Sequence, residues 1–336
     1  MEKKVSIIVS VYKAEEFIKR CVDALLRQTY QNIEIILIED GSPDRSGEII
    51  DNYTDPRIKV VHNPNLGVSH TRNVGLALAS GDYVTFCDSD DYYSLDHVEK
   101  VLHAAIDQDA DIVISGYYRE DEGGFTSSVK MRSHVINQDE VVKHCCIDDE
   151  FGGYCWNKLY KKKVIAGNHF PEDLDMLEDT YFLCLGMQRA QKMYYLAEPL
   201  YYYCDNPDSA VRNITNQFSD HGSSKYADSY DKIMCDFDFS KPALNSIHSA
   251  MFHSAVNFRY MMYLGMYSGN QALLDSFNRN IKKYRSDYYS SKYSLKSKIK
   301  TTVKWLLPKL AISILPSIIK LVILFYLKKI KNLKIK

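Results

Sequence analysis

Asp82-Tyr83-Val84-Thr85-Phe86-Cys87-Asp88-Ser89-Asp90-Asp91 decides the fold. Its first part is β-rich and apolar, as a strand buried on both faces of a parallel sheet would be. It then ends abruptly in three carboxylates within four residues. Working outward, the preceding 80 residues repeat the same theme. Val5-Ser-Ile-Ile-Val-Ser-Val11 and Ile33-Glu-Ile-Ile-Leu-Ile38 read as strands, and residues 57–62 as a third. Between them, residues 15–27 place Phe17, Ile18, Cys21, Val22, Leu25 and Leu26 at helical spacing. Ser42-Pro43 reads as an N-cap followed by proline, opening a helix to about Tyr53. Residues 68–79 and 95–105 read as helices, and residues 111–115 as a fifth strand.

Strand and helix in strict alternation imply an α/β fold with a Rossmann-like, mostly parallel sheet covered by helices. Ligands of such sheets bind beyond the carboxyl ends of the strands. Those ends carry Ser10-Val-Tyr12, Glu39-Asp40-Gly41, Asn65-Leu-Gly67 followed by Arg72-Asn73, and Asp88-Ser89-Asp90-Asp91. Crowded carboxylates repel one another, and hard oxygen ligands suit Mg²⁺ or Mn²⁺. Alone, Asp-Ser-Asp-Asp reads as an acidic turn capping the next helix. At the end of a strand in this sheet it reads as a divalent-cation site able to bridge a diphosphate.

Beyond residue 116 the alternation loosens. Gly123-Gly124 lies between short strand-like stretches, helical patterns return at 138–146 and 177–190, and residues 192–196 read as a strand. Residues 217–283 read as helical and 298–327 as a last apolar segment. The reading divides the chain into an α/β domain (1–215), a helical region (216–290) and a basic amphipathic tail (291–336), so that the sheet carries a C-terminal helical extension.

The stretches Val5-Ser-Ile-Ile-Val-Ser-Val-Tyr12, Gln28-Thr-Tyr30, Ile35–Ser42, Asn65-Leu-Gly-Val-Ser-His-Thr-Arg-Asn73, Gly81–Asp91, Trp156-Asn-Lys-Leu-Tyr160 and Leu177-Glu-Asp-Thr-Tyr-Phe182 together resemble a family 2 glycosyltransferase of the GT-A fold, of the bacterial surface-polysaccharide type. The resemblance spans about residues 4–203. It implies that Ser10 and Tyr12 line the nucleoside pocket and that Asp40 accepts from the uracil ring of the donor. It places Arg72 and Ser89 near the nucleotide. Asp88 and Asp90 become a DxD pair holding Mn²⁺ or Mg²⁺, and Asp179 the general base beside Glu178. Glu39 stands where aspartate is more common, and Cys87 where leucine is usual. Trp156 has two readings, a ring against an acceptor sugar with Glu178 nearby, or a core residue.

The implied activity is inverting transfer of a sugar from a UDP-sugar to a hydroxyl of a lipid-linked glycan, in capsule, exopolysaccharide or O-antigen biosynthesis. Two rivals stand beside it: a polyprenyl-phosphate glycosyltransferase, and a non-catalytic sugar-nucleotide-binding subunit. No GxGxxG or Walker A pattern occurs in the chain, which argues against dehydrogenases and P-loop NTPases.

Composition sets the remaining bounds. The 336 residues are 46% hydrophobic and 25% charged, ordinary for a globular chain. The net charge of −1 argues against a nucleic-acid binder. That sum hides an asymmetry, because twelve lysines and no acidic residue follow Asp287. Eight cysteines form no CxxC pair, so buried thiols in a reducing compartment are expected. No signal peptide is read at the N-terminus. The tail's longest uncharged run is the ten residues 310–319, short of the roughly 20 needed to span a bilayer. Its lysines and apolar residues read as an in-plane element drawn to anionic headgroups. A true span and a helix packed on the body or on a second subunit remain open. The reading therefore expects a peripheral protein on the cytoplasmic face of the bacterial inner membrane, with homo-oligomerisation left open.

Overall fold

The computed structural model describes residues 2–147, 151–206, 224–264, 271–291 and 295–313. They group into two units, Met1–Ile214 and Thr215–Lys336.

The first unit is a mixed, mostly parallel α/β sheet with helices. In chain order its elements are β1 (Val5–Val11), α1 (Ile18–Leu26), β2 (Ile33–Glu39), α2 (Ser46–Asp51), β3 (Ile58–His62), α3 (Val68–Leu78), β4 (Tyr83–Asp88), β5 (Tyr92–Tyr93), α4 (His97–Asp107), β6 (Ile112–Asp121), β7 (Gly124–Ser127), β8 (His134–Ile136), α5 (Gln138–Ile147), β9 (Lys158–Lys161), α6 (Lys162–Ile165), α7 (Glu178–Met187) and β10 (Met193–Tyr203). The sheet runs β3-β2-β1-β4-β9-β6-β10-β5, with β7 against β6 and β8 against β10. β1, β2 and β4 are nearly continuous buried runs, as strands covered on both faces must be.

Register places the site. Ser10 of β1 lies opposite Ile38 of β2 and Asp88 of β4, and Val11 lies opposite Glu39. Parallel strands in step therefore bring Ser10, Asp40 and Asp88 to one edge. Helix α3 lies tightly on this sheet at Gly75, where a Cβ would come within 2.4 Å of Ile8 Cγ2. That close approach holds the first turns of α3, with Arg72, over the same edge.

The opposite edge is pinned by one buried carboxylate. Glu34 on β2 accepts from Ser6 Oγ at 2.6 Å, Ser80 N at 2.6 Å, Lys59 Nζ at 2.8 Å and Lys4 Nζ at 3.0 Å. Burial alone would raise its pKa, but Lys59, Ser6, Ser80 and Lys4 together hold it well below the ordinary glutamate range.

Four features differ from the sequence reading. Helix α2 starts at Ser46, with Arg45 at the N-cap position, rather than at Ser42-Pro43. Asp44 takes over the local capping, accepting from Ser46 N at 3.1 Å and from Ser46 Oγ at 2.6 Å. The fifth strand, β6, is ten residues long and turns back at Gly123-Gly124 into β7. The short strand β9 is inserted antiparallel between β4 and β6. Helical residues 217–283 resolve, where described, into separate helices.

Those helices form the second unit: α8 (Lys225–Asp236), α9 (Lys241–Tyr263), α10 (Gln271–Ser290) and α11 (Leu295–Ser313). The start of the basic tail belongs to this bundle. Thr301 is buried between the Tyr288 hydroxyl at 2.9 Å and His253 Nδ1 at 3.0 Å, and Lys304 Nζ donates to Asn257 Oδ1 at 2.6 Å. Helix α11 continues through Pro308, where the sequence suggested an interruption. Residues 314–336, most of the apolar tail, lie outside the described residues. Among the described residues, no helix is long and apolar enough to cross a membrane.

Glu34→Ala should cost about 2 kcal/mol in urea unfolding at neutral pH, because it strands Ser6 Oγ and Ser80 N–H. A carboxylate with a depressed folded pKa stabilises above its unfolded pKa of about 4.3, and that stability is lost as pH falls toward the folded value. The difference between wild type and variant should therefore shrink progressively on acidification below that point.

Candidate active site

The site is built from the ends of β1, β2 and β4, the first turns of α3, and the start of α7. Asp40 follows β2 and is 4% exposed. Its two carboxylate oxygens accept from Leu66 N and Gly67 N, each at 2.8 Å, and so shape the loop that leads into α3. Gly41 beside it has φ +67°, and a Cβ there would lie 2.8 Å from Asn65 N, so the turn requires glycine. Tyr12 is 42% exposed, with its hydroxyl 3.4 Å from Asn65 Nδ2. The ring thus stands at the open side of the same edge. Ser10 Oγ is enclosed and has no hydrogen-bond partner among the described residues.

Arg72 organises the centre. It is 5% exposed, and its guanidinium meets three carboxylates: Asp179 Oδ1 at 2.7 Å, Glu178 Oε1 at 3.0 Å and Asp88 Oδ1 at 3.2 Å. The Phe170 ring lies beneath it, 5.3 Å from Cζ. Neighbouring Asn73 fixes that ring's backbone from both sides, accepting from Phe170 N at 2.7 Å and donating to Phe170 O at 2.9 Å. Burial opposes the guanidinium charge, but Asp179, Asp88 and Glu178 outweigh it and keep Arg72 protonated.

Asp179 is held at both oxygens, the second by Cys155 N at 3.1 Å. Helix α7, which carries Glu178 and Asp179 in its first turn, begins after Leu177 at φ +62°. A left-handed non-glycine residue costs free energy and is tolerated where surrounding contacts over-determine it. Here it turns the chain so that two successive acids face Arg72. Burial, and next the Asp179 charge, push Glu178 up against the opposing effect of Arg72.

Asp88 ends β4. Desolvation pushes its carboxyl up to about 6, with Arg72 opposing and the charges of Asp90 and Asp179 adding to the rise. Ser89 is 8% exposed, and Asp90 accepts from Asn206 Nδ2 at 2.8 Å. The third acid of the run, Asp91, is 1% exposed and committed to Tyr201 Oη and Cys204 N, each at 2.7 Å.

This donor set fits a hard divalent cation. Three carboxylates, Asp88, Glu178 and Asp179, gather around one guanidinium, and Asp90 follows two residues after Asp88, leaving an excess of negative charge. Among the described residues, no cluster of three His, Cys, Asp or Glu side chains is arranged to hold an ion. Asp88 and Asp90 would thus supply two protein oxygens, leaving further positions for ligand oxygens.

Ser10, Asp40, Arg72, Asp88, Asp90, Glu178 and Asp179 all belong to one strand-end region. Trp156 takes the core reading and is corrected as an acceptor contact. It is 2% exposed and stacked between Tyr154 at 4.7 Å and Tyr201 at 4.2 Å. Sequence reasoning missed Phe170, Asn73 as a clamp, and the Cys155 amide. A backbone N–H leaves no mark on composition. Lys158 was missed too: buried and pushed down to about 8 by desolvation, its ammonium bonds Gly152 O at 3.1 Å, Asn157 Oδ1 at 2.8 Å and Tyr154 O, bracing the loop that presents Cys155 N. Its sequence signals were a lone charge among apolar and aromatic neighbours and its place inside the stretch Trp156-Asn-Lys-Leu-Tyr160.

Comparisons with known proteins agree with this geometry. Residues 6–166 match the family model for glycosyl transferase family 2. The chain is 39% identical over 214 residues to the uncharacterized glycosyltransferase EpsJ of Bacillus subtilis (strain 168), covering 61% of this chain and 62% of EpsJ. It is 33% identical over 233 residues to glycosyltransferase GlyG of Streptococcus pneumoniae serotype 4, covering 63% of this chain and 74% of GlyG. The fold resembles residues 1–349 of S. aureus TarS, solved in complex with UDP-GlcNAc, with a TM-score of 0.58, 19% identity, and coverage of 90% of this chain and 78% of that one. It also resembles the mannosyltransferase PcManGT of Pyrobaculum calidifontis, solved with GDP-Man and Mn²⁺, with a TM-score of 0.51, 14% identity, and coverage of 92% and 88%. A GT-A-like sheet, acids at its strand ends and these matches together identify the chain as a member of glycosyl transferase family 2.

Proposed function

We propose that the protein is an inverting glycosyltransferase that moves one sugar from a nucleotide-sugar, a UDP-sugar by preference, to a hydroxyl of a lipid-linked glycan. One observation carries the reading: a single buried guanidinium lies within hydrogen-bond distance of both Asp88 and the Glu178-Asp179 pair. In this reading the groups assigned to donor phosphate and to acceptor meet at one side chain, Arg72. Nucleotide-sugars bound to TarS and to PcManGT support the donor class.

The roles follow from position. Tyr12 and Asp40 border the nucleoside end. Asp88 and Asp90 would hold Mn²⁺ or Mg²⁺, which when bound neutralises charge on the departing diphosphate. Asp179 is the general base that takes the proton of the acceptor hydroxyl. Its two oxygens are fixed by Arg72 and by Cys155 N, so the carboxylate is oriented before substrate arrives. Arg72 partly neutralises the acids that must lie together. The nucleotide diphosphate leaves, the glycosidic bond forms at the opposite face of the sugar, and the proton ends on Asp179.

Membrane attachment of the C-terminal part accords with a lipid-linked acceptor. Leu295, Ile299 and Val303 recur every fourth residue along α11 and are 74%, 56% and 49% exposed. Twelve lysines and no acid follow Asp287. Such a stretch combines apolar burial with attraction to anionic headgroups.

Asp90→Ala and Asp179→Asn should each lower UDP release from the donor in the presence of acceptor by roughly a thousandfold, with melting temperatures near wild type. EDTA should silence the wild type and Mn²⁺ restore it; full activity in any of these conditions removes the corresponding role. Arg72→Met leaves three neighbouring acids without their counter-charge, and should cost roughly 3 kcal/mol in urea unfolding. Deleting residues 314–336, which carry six of the twelve lysines, should weaken co-sedimentation with phosphatidylglycerol vesicles at low salt, and the intact chain should lose binding as salt rises. Undiminished sedimentation of the truncated chain would place the attachment elsewhere.

A further inference from the structure

Residues 88–91 form a tight turn whose ends are tied twice. The Asp91 amide donates to Asp88 O at 3.2 Å, closing the turn through the backbone. The second tie is a side chain from a distant strand. Tyr201 of β10 accepts at its hydroxyl from the Asp88 amide at 3.2 Å and donates to Asp91 Oδ2 at 2.7 Å. The other oxygen of Asp91 accepts from Cys204 N at 2.7 Å, three residues further along the Tyr201 chain segment. Asp91 is therefore fully committed and buried, and Ser89 and Asp90 occupy the corners of the turn.

The phenol itself has no freedom. Tyr201 is fully buried, its ring stacked on Trp156 at 4.2 Å and 17° and set edge-on to Tyr93 at 5.7 Å. β10 is held beside β5 with Tyr201 opposite Tyr93. A packed aromatic stack thus fixes one hydroxyl, and that hydroxyl fixes both ends of the acidic turn. A tyrosine hydroxyl can donate and accept at once, and phenylalanine keeps the ring but forfeits both bonds.

We propose that Tyr201 is a positioning residue for divalent-cation binding: its hydroxyl sets the spacing of the Asp88 and Asp90 carboxylates by clamping the turn between them and Asp91. The inference rests on the reading of Asp88 and Asp90 as the cation site and adds to it the strand and the atom that hold that site in shape. A pair of ligands two residues apart can share an ion only if the turn between them is held, so a loosened turn spends binding free energy on ordering.

The test titrates Mn²⁺ into the full chain in the presence of UDP, reading loss of the free Mn²⁺ electron paramagnetic resonance signal. Tyr201→Phe should weaken Mn²⁺ binding about tenfold, the equivalent of one charge-assisted hydrogen bond. Without Mn²⁺ its melting temperature should fall by a few degrees, because the buried Asp91 Oδ2 and Asp88 N–H lose a partner, so Mn²⁺ binding is read well below that temperature. Asp91→Asn removes the charge and turns one of the two acceptor oxygens into a donor amide, weakening the same clamp from its other end, and provides a second variant should Tyr201→Phe fold poorly. It should also weaken Mn²⁺, and the double variant should be no weaker than the weaker single one. Tyr201→Phe with unchanged Mn²⁺ affinity but lowered stability, or additive losses in the double variant, would overturn the inference while leaving the cation reading intact. Wild type that takes up no Mn²⁺ with UDP would overturn both.

Discussion

The site depends on the buried contact of Arg72 with Asp88, Glu178 and Asp179. Those acids come from a strand end and a helix start more than 80 residues apart in sequence. Without a shared cation their mutual repulsion would drive them apart. A guanidinium suits this task because its planar fork offers several donors in fixed directions and stays charged when buried. Its own position is set in turn by the close seating of α3 at Gly75 and by Phe170 beneath it.

Charge around this contact divides the labour. Asp179 has both oxygens oriented by fixed donors, which suits a group that must meet a hydroxyl in one geometry. Asp88 is desolvated and crowded by the charges of Asp90 and Asp179, so an added cation would favour its ionised form. Asp91 is sealed inside and serves the turn rather than the ligand. Three acids in a four-residue run thus have three different environments, created by β10, α3 and solvent.

Much of the first unit was legible because buried parallel strands write themselves as apolar runs and their ends as abrupt polar residues. β1, β2 and β4 carry that signature, and with them Ser10, Asp40, Asp88 and Asp90 could be placed at one edge. The family resemblance extended the reading to Arg72 and Asp179. Less could be seen where contacts are non-local. β9 is four residues long with a buried lysine, so no period marks it. The core position of Trp156 follows from stacking on Tyr201, 45 residues away. Ser42-Pro43 carries good capping chemistry, yet Asp44 and Ser46 make the observed contacts, because local propensity is a weak prior against tertiary packing. The second unit was legible as helical, but its boundaries were not, since helices in a bundle share similar periodicity.

The most direct test is calorimetric titration of UDP into the full chain, with Mn²⁺ present and again with EDTA, for wild type and for a variant with Asp88 and Asp90 both changed to Asn. If the acids at the end of β4 grip the diphosphate through a cation, UDP binds the wild type with Mn²⁺ and loses most of its affinity both with EDTA and in the variant. Equal affinity in all four titrations would contradict that assignment.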